Sequence, residues 1–274
     1  MKRNVYLDEV PLHEAVRKFF AALEKQGAVG ALAGEPIATD VVALGRVTAQ
    51  PVFAMVSSPH YHACAMDGVA VRSHSTFAAS ERRPVTLNLG EDAVMADTGD
   101  PLPFGFDAVI MVEDLVETTD DSVTIIAPAK PWQHVRSVGE DIVATELVLP
   151  ENHAIRAVDI GAMLAAGVTQ VQVRRRPRVV IIPTGDELVA PGSKLQTGDI
   201  VEFNSRIIGG FVSEWGGEPV FNAIVRDEFD AITQAVRQAA ADGDIVIVNA
   251  GSSAGSEDYT SAVVDRLGEV IVHS

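Results

Sequence analysis

The sequence predicts a multidomain α/β protein. An elongated mixed α/β domain lies at the N-terminal end, a β-rich module is inserted into it, and a parallel-sheet α/β domain closes the chain. Three observations carry this. Beyond Arg178 apolar strands alternate with amphipathic helices, the pattern of a parallel sheet covered on both faces. Between about Val52 and Pro131 the chain breaks instead into short β-branched runs separated by Pro, Gly and Asp turns. Its 274 residues, 47% hydrophobic and 22% charged, suffice for about two domains with proper cores.

The elements follow in order. Leu12, Ala15, Val16, Phe19, Phe20 and Leu23 recur at helical spacing, so a helix is expected from Leu12 to about Gln26, with Pro11 suited to its first turn. TDVVALGRVTAQ reads as a second helix, with Thr39 or Asp40 as cap and Gly45 near its end. GVAVRS, PVTLNL, AVIMVEDLV and SVTIIAP then read as strands. From Trp132 to Val173 the chain is mixed, with a helix about Ala157 to Ala166 closed by Gly167. The two flanking segments are expected to pair, making residues 1–51 with 132–173 one discontinuous domain, the dimer interface, and 52–131 the insertion. Residues 174–274 form the parallel α/β domain: strand RVVIIP, helix NSRIIGGFVSEWG, strand PVFNAIVRD, helix FDAITQAVRQAAADG, strand DIVIVNAG and helix DYTSAVVDRLG. EVIVHS opens a further strand, so this domain reads as incomplete.

Composition narrows the partners. Twenty-one Lys and Arg against thirty-eight Asp and Glu give a net charge of -17, which argues against nucleic acid or an anionic membrane as a general partner. The single cysteine, Cys64, excludes an intrachain disulfide and fits a reducing compartment. The first residues lack the apolar core of a signal peptide, and no run reaches the roughly eighteen apolar residues of a membrane span. A cytoplasmic protein is expected.

Several motifs bear on chemistry. CAMDGVAV, Cys64 to Val71, places Asp67 and Gly68 inside an apolar run that otherwise favours a strand; the plain alternative is an Asp-Gly turn between two short strands. His60, His62 and Cys64 alternate in HYHAC, so a strand would point all three one way, yet without a fourth ligand they read as packing. Arg174, Arg175, Arg176 and Arg178 read as a solvated interdomain strand rather than an anion site. Trp132 and His134 likewise read as packing.

Ligands of open parallel sheets bind beyond the carboxyl ends of the strands, and three junctions fall there: PTGDELV with Thr184 and Gly185, RDEF, and NAGSSAGSEDYT. In the third, the amides and hydroxyls of Gly251, Ser252, Ser253, Gly255 and Ser256 suit a phosphate, with a helix N-terminus behind them. The competing reading is a Gly/Ser loop with Asp258 serving the helix start. Neighbouring strand ends are expected to bring Glu187, Asp227 and Asp258 together, the plain alternative being three separate solvated loop acids. Carboxylates beside a phosphate repel it unless a divalent cation lies between, and Mg²⁺ accepts carboxylates together with phosphate oxygens. The residues thus point to a phosphorylated ligand with a divalent metal and leave the ligand unnamed.

Taken together, CAMDGVAV, DTGDPLPFGFDAVIMVED, SVGEDI, RPRVVIIPTGDELVAPG, TGDIVEFNS and AGSSAGSEDYTSAVVDRLGEV occur in the order and spacing that resemble the MoeA family, molybdopterin molybdenumtransferases related to the gephyrin E domain. The resemblance covers nearly the whole chain. It implies a MogA-like molybdopterin-binding α/β domain and a homodimer. The implied reaction inserts molybdate into adenylylated molybdopterin (molybdopterin-AMP), with Mg²⁺ and release of AMP. It carries functional positions onto Asp67, Thr98, Asp141, Glu187, Asp227 and Asp258, with Glu187, Asp227 and Asp258 around the cation. Asp67, Thr98 and Asp141 are then expected to reach the partner subunit's cleft. Departures are Val69 where an aromatic residue is common, Cys64 where a small or polar residue is usual, Asp100 where Ala is frequent, and Ala250 where many relatives carry Gly. The family also continues into lysine-containing segments and a C-terminal β domain with no counterpart before Ser274, so the chain is expected to be a C-terminally truncated member with impaired turnover. A pterin-binding or scaffolding protein of the same fold is the alternative. A nucleotide-processing enzyme sharing only the α/β domain fits the AMDG and GED segments less well.

Overall fold

Arg178–Pro183 is a continuous apolar strand whose side chains alternate between two faces, and both faces find cover. Val179 and Ile181 pack with Ile208 and Val212 on one side; Val180 and Ile182 pack with Ala235, Val236 and Ala239 on the other. The computed structural model of the protein describes residues 10–250 and 259–272. The chain divides into two compact units, Met1–Glu35 with Arg174–Ser274, and Pro36–Val173.

In chain order, α1 (Leu12–Lys25) is followed by β1 (Gly34–Ala38), β2 (Val52–Phe53), β3 (Ala63–Cys64), β4 (Gly68–Val71) and the one-turn helix α2 (Ser73–Thr76). Next come β5 (Val85–Asn88), β6 (Ala93–Ala96), β7 (Ala108–Met111), β8 (Leu115–Thr118) and β9 (Ser122–Ile125). β10 (Val135–Arg136), β11 (Leu147–Leu149), α3 (Ala157–Ala165) and β12 (Gln170–Arg174) complete this stretch. The remainder is β13 (Arg178–Pro183), β14 (Leu188–Val189), β15 (Ile200–Val201), α4 (Asn204–Glu214), β16 (Glu218–Phe221), α5 (Phe229–Asp242), β17 (Ile245–Asn249) and α6 (Thr260–Leu267).

In the unit containing β13, the sheet order is β16-β13-β17 and both pairings are parallel, as the strand and helix alternation predicts. Val180 faces Val220 on one neighbour and Val246 on the other. EVIVHS departs from its expected strand: Glu269–Val272 take no regular structure. Glu269 is exposed and Val270, Ile271 and Val272 are only half-buried, so little apolar burial rewards ordering them as a strand. The first helix also departs from the expected grouping, since α1 falls in the same unit as Arg174 onward rather than with 132–173. The chain just after it is bonded there: Arg174 Nη1 donates to the Leu32 carbonyl at 3.3 Å and the Arg175 N–H to the Ala33 carbonyl at 2.9 Å. The helix buries none of its residues.

Pro36–Val173 holds two larger cores. One joins Val69, Val71, Leu87, Ile110, Val123 and Ile125 from the antiparallel sheets β6-β4-β7 and β5-β9-β8. The other joins Ala43, Val52, Leu149, Ile155, Met163 and Val171, built around α3 and β12. AVIMVEDLV is two strands, β7 and β8, with a 3₁₀ turn at Val112–Asp114 between them. That turn lets β8 leave β4 and pair with β9. TDVVALGRVTAQ is not a helix beyond a 3₁₀ turn at Val41–Ala43, whose start Asp40 caps by accepting the Val41 N–H at 2.6 Å. Only Ala43 of these three is buried, and the backbone beyond bonds to a distant segment instead, Gly45 N–H to the Ile155 carbonyl and Thr48 N–H to that of His153. With Val41, Val42 and Leu44 exposed, no apolar face rewards a longer helix.

The arginine run is held by the protein itself. The Arg175 guanidinium donates two bonds to Asp244, at 2.6 and 2.7 Å, and the Arg178 N–H donates a third at 2.8 Å. Of described residues, no helix is long and apolar enough to cross a membrane.

Two outcomes test this packing. A Cβ at Gly68 would stand 2.0 Å from the Ile110 carbonyl oxygen, across the β4–β7 ladder, so G68A is expected to destabilise Pro36–Val173 by about 3 kcal/mol; an unchanged denaturation midpoint would count against the described register. Arg175 first, and the Arg178 amide second, hold the Asp244 carboxyl down to about 2. This stabilisation is present above the ordinary carboxylate range near ~3.9 and is lost as pH falls through about 2. Because the pair is partly solvated, D244N is expected to cost about 1 kcal/mol at neutral pH, with the difference from the parent shrinking in melts run at progressively lower pH.

Candidate functional site

The acid of CAMDGVAV lies at a break between strands, not within one. β3 ends at Cys64, Met66 and Asp67 form a bend, and β4 begins at Gly68. Asp67 is therefore exposed, and what holds it comes from elsewhere in the chain. Oδ1 accepts the Thr98 N–H at 2.7 Å and the Thr98 hydroxyl at 2.8 Å. The amide first and the hydroxyl second hold the Asp67 carboxyl below its usual range, so it is ionised at neutral pH. Oδ2 has no partner among the described residues. The result is a fixed, charged acceptor facing solvent.

Asp141 is held differently. Arg136 Nη2 donates to both of its carboxylate oxygens, at 2.9 and 2.8 Å, and Arg136 Nε lies 3.5 Å from Glu140. Asp141 first, with Glu140, raises the already high Arg136 pKa. The pair offers a ligand a cation as well as an acid. Asp67, Thr98 and Asp141 all lie in Pro36–Val173, and the antiparallel pairing of β3 with β10 links the segments that carry them.

In the other unit, the three strand-end junctions converge on the end of β13. The Thr184 N–H donates to the Asn249 carbonyl of β17 at 3.0 Å, the Gly185 N–H to the Val225 carbonyl at 3.1 Å, and the Val225 N–H to the Pro183 carbonyl at 2.9 Å. Asp227 follows Val225 by two residues, and Asn249 leads into the Gly/Ser loop. Gly185 has φ 154°, and a Cβ there would come within 2.9 Å of the Glu187 carboxylate and of Leu188, so that carboxylate folds back over the glycine. The Thr184 side chain is 3% exposed, and its hydroxyl has no partner among the described residues. A buried, unpaired hydroxyl is costly, and its place at the end of a central parallel strand is where a ligand would satisfy it. Carboxylate and hydroxyl oxygens are the donor types Mg²⁺ takes, and Thr184 and Glu187 bring one of each to the end of β13. Gly251, Ser252, Ser253, Gly255, Ser256 and Asp258 lie outside the described residues.

Among the described residues no three His, Cys, Asp or Glu side chains gather to hold a metal. The HYHAC alternation ends in packing: Cys64 is buried, and the His62 ring accepts the Val138 N–H at 3.2 Å beside the Trp132 ring. Sequence reasoning passed over Arg136, five residues before Asp141, and Tyr61, and marked Asp100 only as a departure without a role, although Tyr61 and Asp100 both bond within the turn carrying Thr98. It also passed over Glu202, a buried carboxylate that caps the start of α4 by accepting the Ser205 N–H and hydroxyl at 2.8 and 2.6 Å. The Arg136 spacing was visible in the sequence; the other contacts depend on turn and cap geometry.

A family model described as the MoeA N-terminal region (domains I and II) matches residues 10–167, and one described as a probable molybdopterin binding domain matches residues 180–274. A molybdopterin molybdenumtransferase of Nostoc sp. is 34% identical over 242 residues, 83% of this chain and 55% of that protein. Molybdopterin molybdenumtransferase 2 of Mycobacterium tuberculosis is 35% identical over 232 residues, 78% of this chain and 56% of that protein. A putative molybdopterin biosynthesis protein of Methanocaldococcus jannaschii is 32% identical over 249 residues, 85% of this chain and 62% of that protein. The chain thus spans 55–62% of the length of these relatives. Two crystal structures of a molybdopterin biosynthesis MoeA protein from Pyrococcus horikoshii align with TM-scores of 0.82 and 0.75, at 31% and 28% identity. They cover 97% and 90% of this chain, and 69% and 68% of theirs.

Proposed function

The chain belongs to the MoeA family, and from that premise we propose that it serves molybdenum cofactor biosynthesis, as the pterin-nucleotide and cation-binding part of an enzyme that inserts molybdate into adenylylated molybdopterin and releases AMP. The observation that carries this reading is the end of β13, where the buried, unpaired Thr184 hydroxyl, Gly185 and the folded-back Glu187 meet the chain leading to Asp227. Thr184 donates to or accepts from the bound nucleotide, and Gly185 keeps open the space a side chain would fill. Glu187, Asp227 and Asp258 would hold Mg²⁺, and the cation when bound would supply charge stabilisation for the phosphate. The Gly251, Ser252, Ser253, Gly255 and Ser256 loop cradles the phosphate through its amides and hydroxyls.

In the same reading, Asp67 presents its open oxygen to a donor of the substrate held in the partner subunit's cleft, with Thr98 keeping it ionised and in place. Arg136, beside Asp141, gives an anionic substrate a local cation in a strongly acidic protein. The protein works as a homodimer in the cytoplasm; Phe53 and Leu147, paired across β2 and β11 and both exposed, supply apolar surface for self-association. The accompanying domain division keeps 52–131 as the inserted module, 36–51 with 132–173 as the domain that carries it, and α1 with 174–274 as the pterin-nucleotide domain.

Given molybdate and adenylylated molybdopterin, the protein is expected to release AMP in a Mg²⁺-dependent manner, and D67N or E187Q to slow this at least ~100-fold. Pterin nucleotide bound with no AMP released would favour the binding or scaffolding alternative. No binding would contradict both.

A further inference from the structure

The Asp67–Thr98 contact depends on the four-residue turn Asp97–Asp100, and that turn is held more firmly than an exposed loop requires. Its backbone closes through the Asp100 N–H and the Asp97 carbonyl at 3.0 Å. It is stitched to β3 on one side: the Gly99 N–H donates to the Cys64 carbonyl and the Cys64 N–H to the Asp100 carbonyl, both at 2.8 Å. Two side chains add to this. The Asp100 carboxylate accepts the Asp97 N–H at 3.0 Å, and the Tyr61 hydroxyl donates to the Gly99 carbonyl at 3.0 Å. Neither side chain has a part in the proposed chemistry.

We propose that Asp100 and Tyr61 are positioning residues for the Asp67–Thr98 site: together they fix the turn so that both Thr98 donors stay aimed at Oδ1 of Asp67, leaving Oδ2 open to the ligand.

Electrostatics make the assignment specific. Acids lie along the segments next to Asp67, Asp97 and Asp100 in the turn and Glu113 and Asp114 just beyond Val112, whose N–H donates to the Asp67 carbonyl at 2.9 Å; Arg136 is carried by β10, which pairs with β3. A nearby acid gives Asp67 no electrostatic help, and what lowers its range is the pair of Thr98 donors. A further carboxylate at position 100 therefore does not help to ionise Asp67. What it contributes is geometric, a bond that secures Asp97 immediately before Thr98. Tyr61 secures the residue immediately after. Thr98 is thus clamped from both sides, while its own two donors are spent on a single acceptor.

The functional meaning of this rests on the proposed role of Asp67 and Thr98, but the test does not use turnover. The protein without substrate, and its D100A, D100N and Y61F variants, are followed by NMR for hydrogen exchange at the Thr98 amide and for titration of Asp67 through the Thr98 amide shift. D100A is expected to speed exchange at Thr98 by ~10-fold or more and to move the Asp67 titration to higher pH, although removal of a neighbouring negative charge alone would move it lower. D100N, which keeps an acceptor oxygen, is expected to hold the parent's exchange. Y61F removes only a hydroxyl, so it reports on the turn even where D100A fails to fold, and is expected to speed exchange at both Gly99 and Thr98. Parent-like exchange in both D100A and Y61F, or in Y61F alone where D100A does not fold, would overturn the proposal while leaving the role of Asp67 in the reaction untouched.

Discussion

A strand that is apolar on both faces must be covered on both, and β13 imposes that constraint on the unit around it. Val179 and Ile181 draw α4 to one side of the sheet, and Val180 and Ile182 draw α5 to the other. Parallel partners then flank it, β16 and β17. Because all three strands run the same way, their carboxyl ends open at one edge. Thr184 and Gly185 sit at that edge because they follow the last buried residues of β13. Asp227 reaches it through the bonds of Val225, and the Gly/Ser loop departs from it after Asn249.

Carboxylates in this protein divide by how completely they are satisfied. Asp159, buried at the start of α3, accepts bonds from the Arg156 guanidinium, the Arg156 amide and the His153 ring, and Arg156 above all holds it far below the usual range. Asp244 and Glu202 are likewise spoken for, by arginine and backbone in one case and by a helix start in the other. These acids are structural. Asp67 differs because both donors it receives come from one residue and land on one oxygen. Asp141 lies between the two kinds, with both oxygens engaged by a single exposed arginine that a ligand can share.

Much of this was legible from residue order alone. The strand RVVIIP and helices α1, α3, α4, α5 and α6 all lie where apolar periodicity places them, and the helix boundary at Gly167 is where a positive φ is needed. The failures share a cause. TDVVALGRVTAQ has helical caps, but its fate is decided by backbone bonds to residues over a hundred positions away in some cases, such as Thr48 to His153. AVIMVEDLV looks continuous because nothing local says that β8 will pair with β9 instead of following β7. At the site, the acids were visible as residue types at strand ends, whereas Asp100 and Tyr61 act through a turn whose shape no spacing rule encodes. Tyr61 and Gly99 are thirty-eight residues apart.

In the proposed function the end of β13 binds a phosphorylated nucleotide through a divalent cation. Calorimetric titration of the protein with adenylylated molybdopterin, with and without Mg²⁺, tests it most directly. Mg²⁺ is expected to tighten binding ~10-fold or more, and a protein carrying both E187Q and D227N to lose this gain while retaining its fold. Binding that is equally strong without Mg²⁺, or a Mg²⁺ effect that survives loss of both carboxylates, would contradict it.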